Sequence, residues 1–114
     1  MPCFSKIMSD RKNLVLRGVA ECVTESELDY LLSKKDSPRA YIGFEPSGLL
    51  HAGSLVPMLK CRELIDAGFE VTILLADWHG YINDKLGGNW DNLNAGVEYQ
   101  RQMFSIFCPG VKFK

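Results

Sequence analysis

The sequence predicts an α/β fold with a parallel sheet, and three observations lead to this prediction. Residues 39–44 and 70–76 are short runs rich in branched and aromatic side chains, which is typical of strands. A segment with helical spacing, residues 53–67, lies between them. The alternation then repeats, since residues 90–107 have helical spacing and residues 111–114 alternate like the opening of another strand. Strands separated by helices are joined by right-handed crossovers, which makes the sheet parallel.

Length and composition limit the class of protein. A chain of 114 residues is enough for one small domain, and 46% hydrophobic with 24% charged residues is ordinary for a soluble protein. The formal net charge of −1 excludes a protein whose affinity for nucleic acid rests on a globally basic surface. No apolar run approaches the roughly 20 residues of a membrane span, and the charged N-terminal stretch does not suit a signal peptide. We therefore expect a cytoplasmic protein without a membrane partner.

Two helices are predicted before the first strand. Residues 9–21 mix charged and branched apolar side chains in a pattern that suits an amphipathic helix. The second helix is expected to begin at a capping box formed by Thr24 and Glu27. It should end before Pro38, because proline disfavours the helical conformation in the residue before it.

The first strand leads through a loop into a third helix. Residues 45–48, with the sequence Glu-Pro-Ser-Gly, break the strand 39–44 as a loop. The helix 53–67 contains Pro57, which we expect near the first turn, where its missing N–H costs little. Gly68 stands where a glycine commonly ends a helix.

The second strand and the elements after it follow the same logic. Residues 70–76 are almost continuously apolar, which predicts a strand buried on both faces. Asp77 is expected to cap a short helix that runs through Ile82. Residues 85–89 are predicted to form a loop, and the helix 90–107 should stop at the Cys-Pro-Gly sequence behind it.

The four cysteines are Cys3, Cys22, Cys61 and Cys108, and they are widely spread along the chain. No two of them form a Cys-x-x-Cys pair, and a secreted disulfide framework would be denser in so short a chain. The spacing therefore favours structural thiols over disulfides or a zinc site.

The turn between the first strand and the third helix carries the candidate chemistry. In α/β sheets, ligands bind beyond the carboxyl ends of the strands. Here His51, Gly53 and Ser54 stand at a helix N-terminus, whose free N–H groups and dipole favour an anion. His51 can donate to a phosphate oxygen, and Gly53 lets a flat base approach the backbone, which together suit a nucleoside triphosphate. Taken alone, the same residues also fit an ordinary loop histidine.

Three segments of the chain resemble a known family. They are residues 41–48 (YIGFEPSG), 51–54 (HAGS) and 76–88 (ADWHGYINDKLGG), and they are similar to the N-terminal part of archaeal or eukaryotic-type tyrosyl-tRNA synthetases. These class I enzymes activate tyrosine with ATP to tyrosyl-adenylate and transfer it to tRNA-Tyr. The resemblance implies an incomplete Rossmann-like parallel sheet with flanking helices. It also divides the chain into an N-terminal helical segment, 1–38, and the first part of a truncated catalytic domain, 39–114.

The resemblance also implies roles for individual residues. Six positions match the family's tyrosine pocket: Tyr41, Gly43, Glu45, Leu74, Ala76 and His79. The family's ATP-binding signature matches His51, Gly53 and Ser54, and Gly43 is expected beside the nucleotide. Mg²⁺ is expected to accompany the ATP phosphates and not to occupy a protein metal site. Other interpretations stay open: Tyr41 as a packed strand residue, Glu45 as a solvated loop acid, and Leu74 and Ala76 as sheet core.

The sequence also departs from the family pattern. Ser54 stands where many class I enzymes have a second histidine, and no segment like Lys-Met-Ser-Lys-Ser occurs in the 114 residues. We therefore expect a synthetase fragment that charges no tRNA by itself and behaves poorly in solution, while a homodimer would belong to the full-length enzyme. A non-catalytic tyrosine- or nucleotide-binding module is the alternative, and a small adenylyltransferase is a third. The pattern Tyr41-x-Gly43 with Ala76-x-x-His79 favours tyrosine over tryptophan.

Overall fold

The computed structural model describes the backbone of residues 2–114 and the side chains of residues 7–114. Its elements, in chain order, are α1 (Pro2–Leu16), α2 (Glu25–Lys34), β1 (Arg39–Phe44), α3 (Ala52–Asp66), β2 (Glu70–Leu75), α4 (Asp77–Ile82), a 3₁₀ turn (Lys85–Gly88), α5 (Trp90–Phe107) and β3 (Lys112–Phe113). No helix in this described part is long and apolar enough to cross a bilayer. The Cys3 thiol, predicted to be structural, lies outside the described side chains.

The strands form one parallel sheet in the order β1-β2-β3, which confirms the predicted α/β class. Gly43 of β1 lies opposite Leu74 of β2, and Ile73 of β2 lies opposite Phe113 of β3. Because the strands are parallel, their carboxyl ends meet at one edge of the sheet. The turns that follow β1 and β2 therefore lie side by side, as a ligand site of this fold class requires.

The sheet is buried on one face only, so the prediction that β2 is buried on both faces is wrong. Val71, Ile73 and Leu75 point into the core, whereas the Leu74 side chain between them is 42% exposed. The difference arises because α3 and α5 pack together on the Ile73 face. On the other face the apolar residues of β1 and β2 stay open to solvent.

The core lies between the sheet and the helices. Its buried members are Leu32, Met58, Cys61, Ala67, Phe69, Val71, Ile73, Leu75, Phe104 and Cys108. The thiols of Cys61 and Cys108 are free and buried, as predicted for structural cysteines, and Cys22 is free and half-buried. Burial raises the pKa of the Cys61 thiol to about 11, and the Cys108 thiol donates to the Met58 carbonyl oxygen at 2.9 Å.

The C-terminus of α3 has the predicted glycine motif. Gly68 adopts a left-handed φ of +91°, its N–H donates to the Ile65 carbonyl at 2.8 Å, and the next N–H donates to the Leu64 carbonyl at 2.9 Å. The position expected for Pro57 is wrong. Because α3 begins at Ala52, Pro57 lies in the second turn, where it cannot donate to the carbonyl four residues before it.

Two helix N-termini differ from their predictions. Thr24 is the N-cap of α2, but its side chain makes no capping bond to the helix, so the predicted capping box does not form. Asp77 is the first residue of α4 and not its cap, and its carboxylate accepts from the adjacent N–H of Trp78 at 2.7 Å. In contrast, α5 has the predicted bounds, and the Asn89 side chain caps it by accepting from two N–H groups of its first turn.

The helix predicted for residues 9–21 ends earlier, at Leu16. A turn follows in which Gly18 has a left-handed φ of +70°, a conformation that ends the helix. The Lys60 ammonium group from α3 then donates to carbonyls of this end, including that of Arg17 at 2.6 Å. Residues 85–88, predicted as loop, form the 3₁₀ turn, in which Leu86 and Gly87 also have positive φ.

Arg11 connects α1 to the rest of the fold. Its Nε donates to the Ala67 carbonyl at 2.7 Å, and its terminal nitrogen donates to the Asp36 carbonyl at 3.0 Å. Both acceptors lie at helix C-termini, where unpaired carbonyls and the negative end of the helix dipole favour a cation. One side chain therefore holds the ends of α2 and α3 together.

Candidate active site

The candidate site lies at the carboxyl edge of the sheet, where the turn after β1 meets the start of α3. His51 is the N-cap of α3, and its Nδ1 accepts from the Gly53 N–H at 3.1 Å. The Ser54 hydroxyl in turn accepts from the His51 N–H at 3.2 Å. These two bonds form a reciprocal capping box, which fixes the imidazole ring at the helix end.

The capping bond determines which ring nitrogen of a neutral His51 carries the proton. In a neutral imidazole one nitrogen accepts and the other donates, and Nδ1 is the acceptor here. The proton must therefore lie on Nε2, and the side chain is exposed. His51 thus presents an N–H donor to a ligand.

The capping bonds change how an anion can bind at α3. The N–H groups of His51, Gly53 and Ser54 are all engaged within the turn, so they are not the free donors expected from the sequence. The helix dipole remains, and the exposed His51 side chain keeps its Nε2–H available as a donor. Gly53 has a steric role beside this ring. A β-carbon there would lie 3.0 Å from Cε1 of His51, so glycine makes room for the imidazole ring.

The turn after β1 is held by two amide side chains. Nδ2 of Asn83 donates to Oε1 of Glu45 at 2.9 Å, and Nε2 of Gln100 donates to the Glu45 carbonyl at 2.9 Å. Glu45 is therefore not simply a solvated loop acid. Asn83, which follows α4, holds the carboxylate of Glu45, and Gln100 on α5 holds its backbone.

Pro46, the next residue of the turn, is fully buried between the same two helices. A β-carbon on Gly80 of α4 would lie 3.2 Å from Cγ of Pro46, and one on Gly96 of α5 would lie 3.3 Å from its Cβ. The two glycines therefore let α4 and α5 approach the turn closely. This contact sets the distance between the turn and the helices behind it.

Six of the nine predicted site residues line two cavities. One, of about 230 Å³, has Glu45, His51, Gly53 and Ser54 in its walls together with Gln100. The other is a wide cleft of about 850 Å³ on the open face of the sheet.

The wide cleft contains Tyr41 and Leu74, along with Lys35 and other residues at the end of α2. Tyr41 is 83% exposed, which contradicts the alternative that it packs in the core. Leu74 lies beside Gly43, since a β-carbon on that glycine would be 3.9 Å from Cδ2 of Leu74. These residues give the cleft an accessible lining that is partly apolar and includes the exposed Tyr41 side chain.

Ala76 and His79 lie near the carboxyl edge of the sheet, but they line neither cavity. The Ala76 N–H donates to the Phe44 carbonyl at 2.8 Å, which ties the ends of β1 and β2 together. His79 is exposed on α4, and its carbonyl accepts from the N–H of Asn83 at 2.9 Å. The two residues therefore border the site without closing it.

Sequence reasoning missed Asn83 and Gln100. Gln100 carries a recognisable signal, because it lies at helical spacing with Leu93, Val97 and Phe104 on the buried face of α5. A polar side chain on such a face needs a hydrogen-bond partner. Asn83 has no comparable signal, since it lies at a helix end where polar residues are common.

Comparison with known proteins places the chain in a family. The family model for class I tRNA synthetases (W and Y) matches residues 33–113. The tyrosine–tRNA ligase of Methanosarcina barkeri is 46% identical over 95 residues, which are 83% of this chain and 29% of that protein. The corresponding ligase of Aeropyrum pernix is 44% identical over 96 residues, which are 84% of this chain and 26% of that protein.

Solved structures agree with the sequence matches. The crystal structure of tyrosyl-tRNA synthetase from Aeropyrum pernix superimposes with a TM-score of 0.87 at 41% identity, covering 94% of this chain and 34% of that one. The synthetase from Archaeoglobus fulgidus, solved in complex with L-tyrosine, gives a TM-score of 0.84 at 36% identity, covering 93% and 34%. The chain thus spans less than a third of the curated relatives it matches. It has the Rossmann-like fold of their catalytic domain, and it belongs to the class I tRNA synthetases of the tryptophan and tyrosine family.

Proposed function

We propose that this chain supplies the N-terminal part of the active site of a tyrosine–tRNA ligase. Its relatives from Methanosarcina and Aeropyrum bear that name, and it spans 29% and 26% of their lengths. The observation that carries the proposal is the capped His51, which presents its Nε2–H at the start of α3 beside the carboxyl edge of the sheet.

On this proposal the ATP side of the site is built on α3. The Nε2–H of His51 donates to a phosphate oxygen, and the positive end of the helix dipole favours the same anion. Ser54 acts by holding the backbone of His51, and Gly53 by leaving space for its ring. Both are therefore positioning residues in this role. Gly43, at the end of β1, borders the nucleotide.

The tyrosine side uses the open face of the sheet. Tyr41 offers a hydroxyl to the phenol of the substrate, and Leu74 offers apolar contact to its ring. Glu45, fixed by Asn83, and the bordering Ala76 and His79 complete this side. Each of these contacts orients the amino acid toward the nucleotide.

The chemical step needs position and charge more than proton transfer. The tyrosine carboxylate attacks the α-phosphorus of ATP, the new bond is a mixed anhydride, and pyrophosphate leaves with the electron pair of the broken P–O bond. The carboxylate is already ionised at neutral pH, so no general base is required. Mg²⁺ would accompany the ATP phosphates and offset part of their negative charge.

We also propose binding partners and a cellular location for the whole protein. Tyrosine and ATP bind first, and tRNA-Tyr accepts the tyrosyl group. A homodimer and a cytoplasmic location are expected of the whole protein. The non-catalytic binding module is the competing function, and it shares the same pockets but releases no pyrophosphate.

One experiment separates the two functions. An antibody against residues of this segment isolates the native protein from the source cells, and its mass is compared with 12.8 kDa. The isolated protein is then assayed for amino-acid-dependent exchange of pyrophosphate into ATP. We expect a product about three times heavier, with exchange that depends on tyrosine. Exchange with tryptophan alone would change the substrate, and tyrosine or ATP binding without exchange would favour the binding module.

A further inference from the structure

The Gln100 side chain has an unusual position for an amide. It is only 3% exposed, and its Nε2–H is used by the Glu45 carbonyl. Its Oε1 is buried, and no group in the described part of the chain donates a hydrogen bond to it. A buried acceptor without a partner costs free energy, so such a group in a well-packed helix face needs an explanation.

The surroundings of Gln100 point to a ligand. The side chain lines the cavity of about 230 Å³, and His51 and Gly53 line the same cavity. The walls of this cavity therefore include two residues with unlike polar groups. The Nε2–H of His51 is a donor beside a helix N-terminus and favours an anion, whereas an amide oxygen accepts only and repels one.

A ligand that satisfies both groups must carry a negative charge and a neutral N–H or O–H donor. We propose that Gln100 is a binding residue of this site, and that its Oε1 accepts a hydrogen bond from the nucleoside part of ATP while His51 contacts the phosphates. The donor is either a ribose hydroxyl or the amino group of adenine. The inference rests on the proposed function, because it takes the nucleotide at His51 as its starting point.

The test compares nucleotides that lack one donor each. The native protein is titrated with ATP, inosine triphosphate, 2′-deoxy-ATP and 3′-deoxy-ATP, and dissociation constants are measured by calorimetry. For the wild type we expect one analogue to bind about 10-fold more weakly than ATP, the loss that one hydrogen bond explains. The analogue affected tells whether the base or the ribose provides the donor.

Variants then assign that loss to Gln100. Gln100→Met keeps the length of the side chain and removes both Oε1 and the Nε2 donor to Glu45, a donor that Gln100→Glu also lacks. In Gln100→Met the ratio between ATP and this analogue should fall to about 1. Gln100→Glu retains an acceptor oxygen and should retain the ratio, even if its charge weakens every nucleotide equally. Gln102→Met is the matched control, since Gln102 is exposed on the same helix and should leave all constants unchanged.

The outcomes separate the inference from the proposed function. If the wild type binds no ATP, both are wrong. If it binds ATP but every analogue equally well, or if Gln100→Met leaves the ratio intact, only the role of Gln100 is overturned. Should Gln100→Met fail to fold, Gln100→Leu removes the same oxygen, and an intact ratio in that variant would overturn the role of Gln100.

Discussion

Gly80 of α4 lies directly against the ring of Pro46, so close that a β-carbon on the glycine would be 3.2 Å from Cγ of the proline. The same β-carbon would be 2.9 Å from Cδ2 of Leu93, which is fully buried. The turn that carries Glu45 is therefore held by shape as well as by hydrogen bonds. Any side chain at residue 80 must displace the proline or the leucine.

Gly80→Ala should destabilise the protein. Replacing a helical glycine by alanine normally gains about 1 kcal/mol of helix propensity, but overpacking a buried contact costs about 1–3 kcal/mol. We expect the second effect to dominate, and urea unfolding of the native protein followed by tryptophan fluorescence measures it. Asn94→Ala is the control, because Asn94 is exposed on α5 and loses no close contact. An unfolding free energy for Gly80→Ala equal to or above that of the wild type would contradict the packing argument.

Substitutions of His51 should separate its capping role from the role that we propose for it toward ATP. His51→Ala loses the cap, which costs about 1 kcal/mol of stability, and it also loses the Nε2–H. His51→Asn restores an acceptor for the Gly53 N–H but is too short to reach a phosphate. We therefore expect His51→Asn to unfold like the wild type and to lower tyrosine-dependent pyrophosphate exchange by about 100-fold. Full exchange activity in His51→Asn would show that the histidine serves the helix alone.

The Cys61 thiol should be unreactive in the folded protein. With its pKa raised to about 11 by burial, about one thiol in a thousand is ionised at pH 8, and the thiolate is the reactive form. Iodoacetamide labelling followed by mass spectrometry should modify the half-buried Cys22 first and Cys61 only in denaturant. Equal labelling of the two cysteines without denaturant would refute the assignment.

The Cys61 thiol should also lower the free energy of unfolding as the pH rises above 9. Its ordinary pKa is 9.0 and its folded pKa is about 11, so the unfolded chain loses the proton first as the pH rises. The stabilisation is full below pH 9 and disappears between pH 9 and 11. Urea midpoints at pH 7 and pH 10 should therefore differ less in Cys61→Ala than in the wild type, and an identical difference in both would count against the effect.

Arg11→Ala should weaken the contact between α1, α2 and α3. The guanidinium donates to the carbonyls of Ala67 and Asp36, and hydrogen bonds to charged groups contribute about 1.5–3 kcal/mol. Lys12→Ala is the neighbouring control, because Lys12 makes surface ion pairs with Glu25 and Asp29 that contribute little. Thermal melts should show a clear loss for Arg11→Ala and almost none for Lys12→Ala; the reverse order would exclude Arg11 as the connecting residue.

Local patterns predicted the elements well where the chain itself specifies them. The strand 39–44 and the helix 90–107 have the predicted bounds, because proline, glycine and an asparagine cap delimit them in the sequence. The predictions were wrong where packing against a distant part of the chain determines which side chains are buried. Leu74 is exposed because of where α3 and α5 pack, and no pattern within residues 70–76 records that.

The candidate site was predicted in its residue types but not in its bonds. His51, Gly53 and Ser54 were expected to bind an anion through free N–H groups, whereas the structure uses those groups for the cap. Gln100 reaches Glu45 across 55 positions of sequence, a pairing that only the folded chain creates. Motifs identify which residues gather at the edge, and tertiary packing decides which atoms remain available to a ligand.

The contact of Arg11 with two helix ends has a consequence for the order of folding. Asp36 lies three residues before β1, and Ala67 lies three residues before β2. Because Arg11 binds both residues, it holds the starts of the two strands close together. We expect the strands to pair first at Arg39 and Glu70 and then progressively toward their carboxyl ends. Arg11 has already closed the loop between the two strands, so the first pairing closes no additional one. The carboxyl edge, where the buried Pro46 packs against α4 and α5, would then pair last.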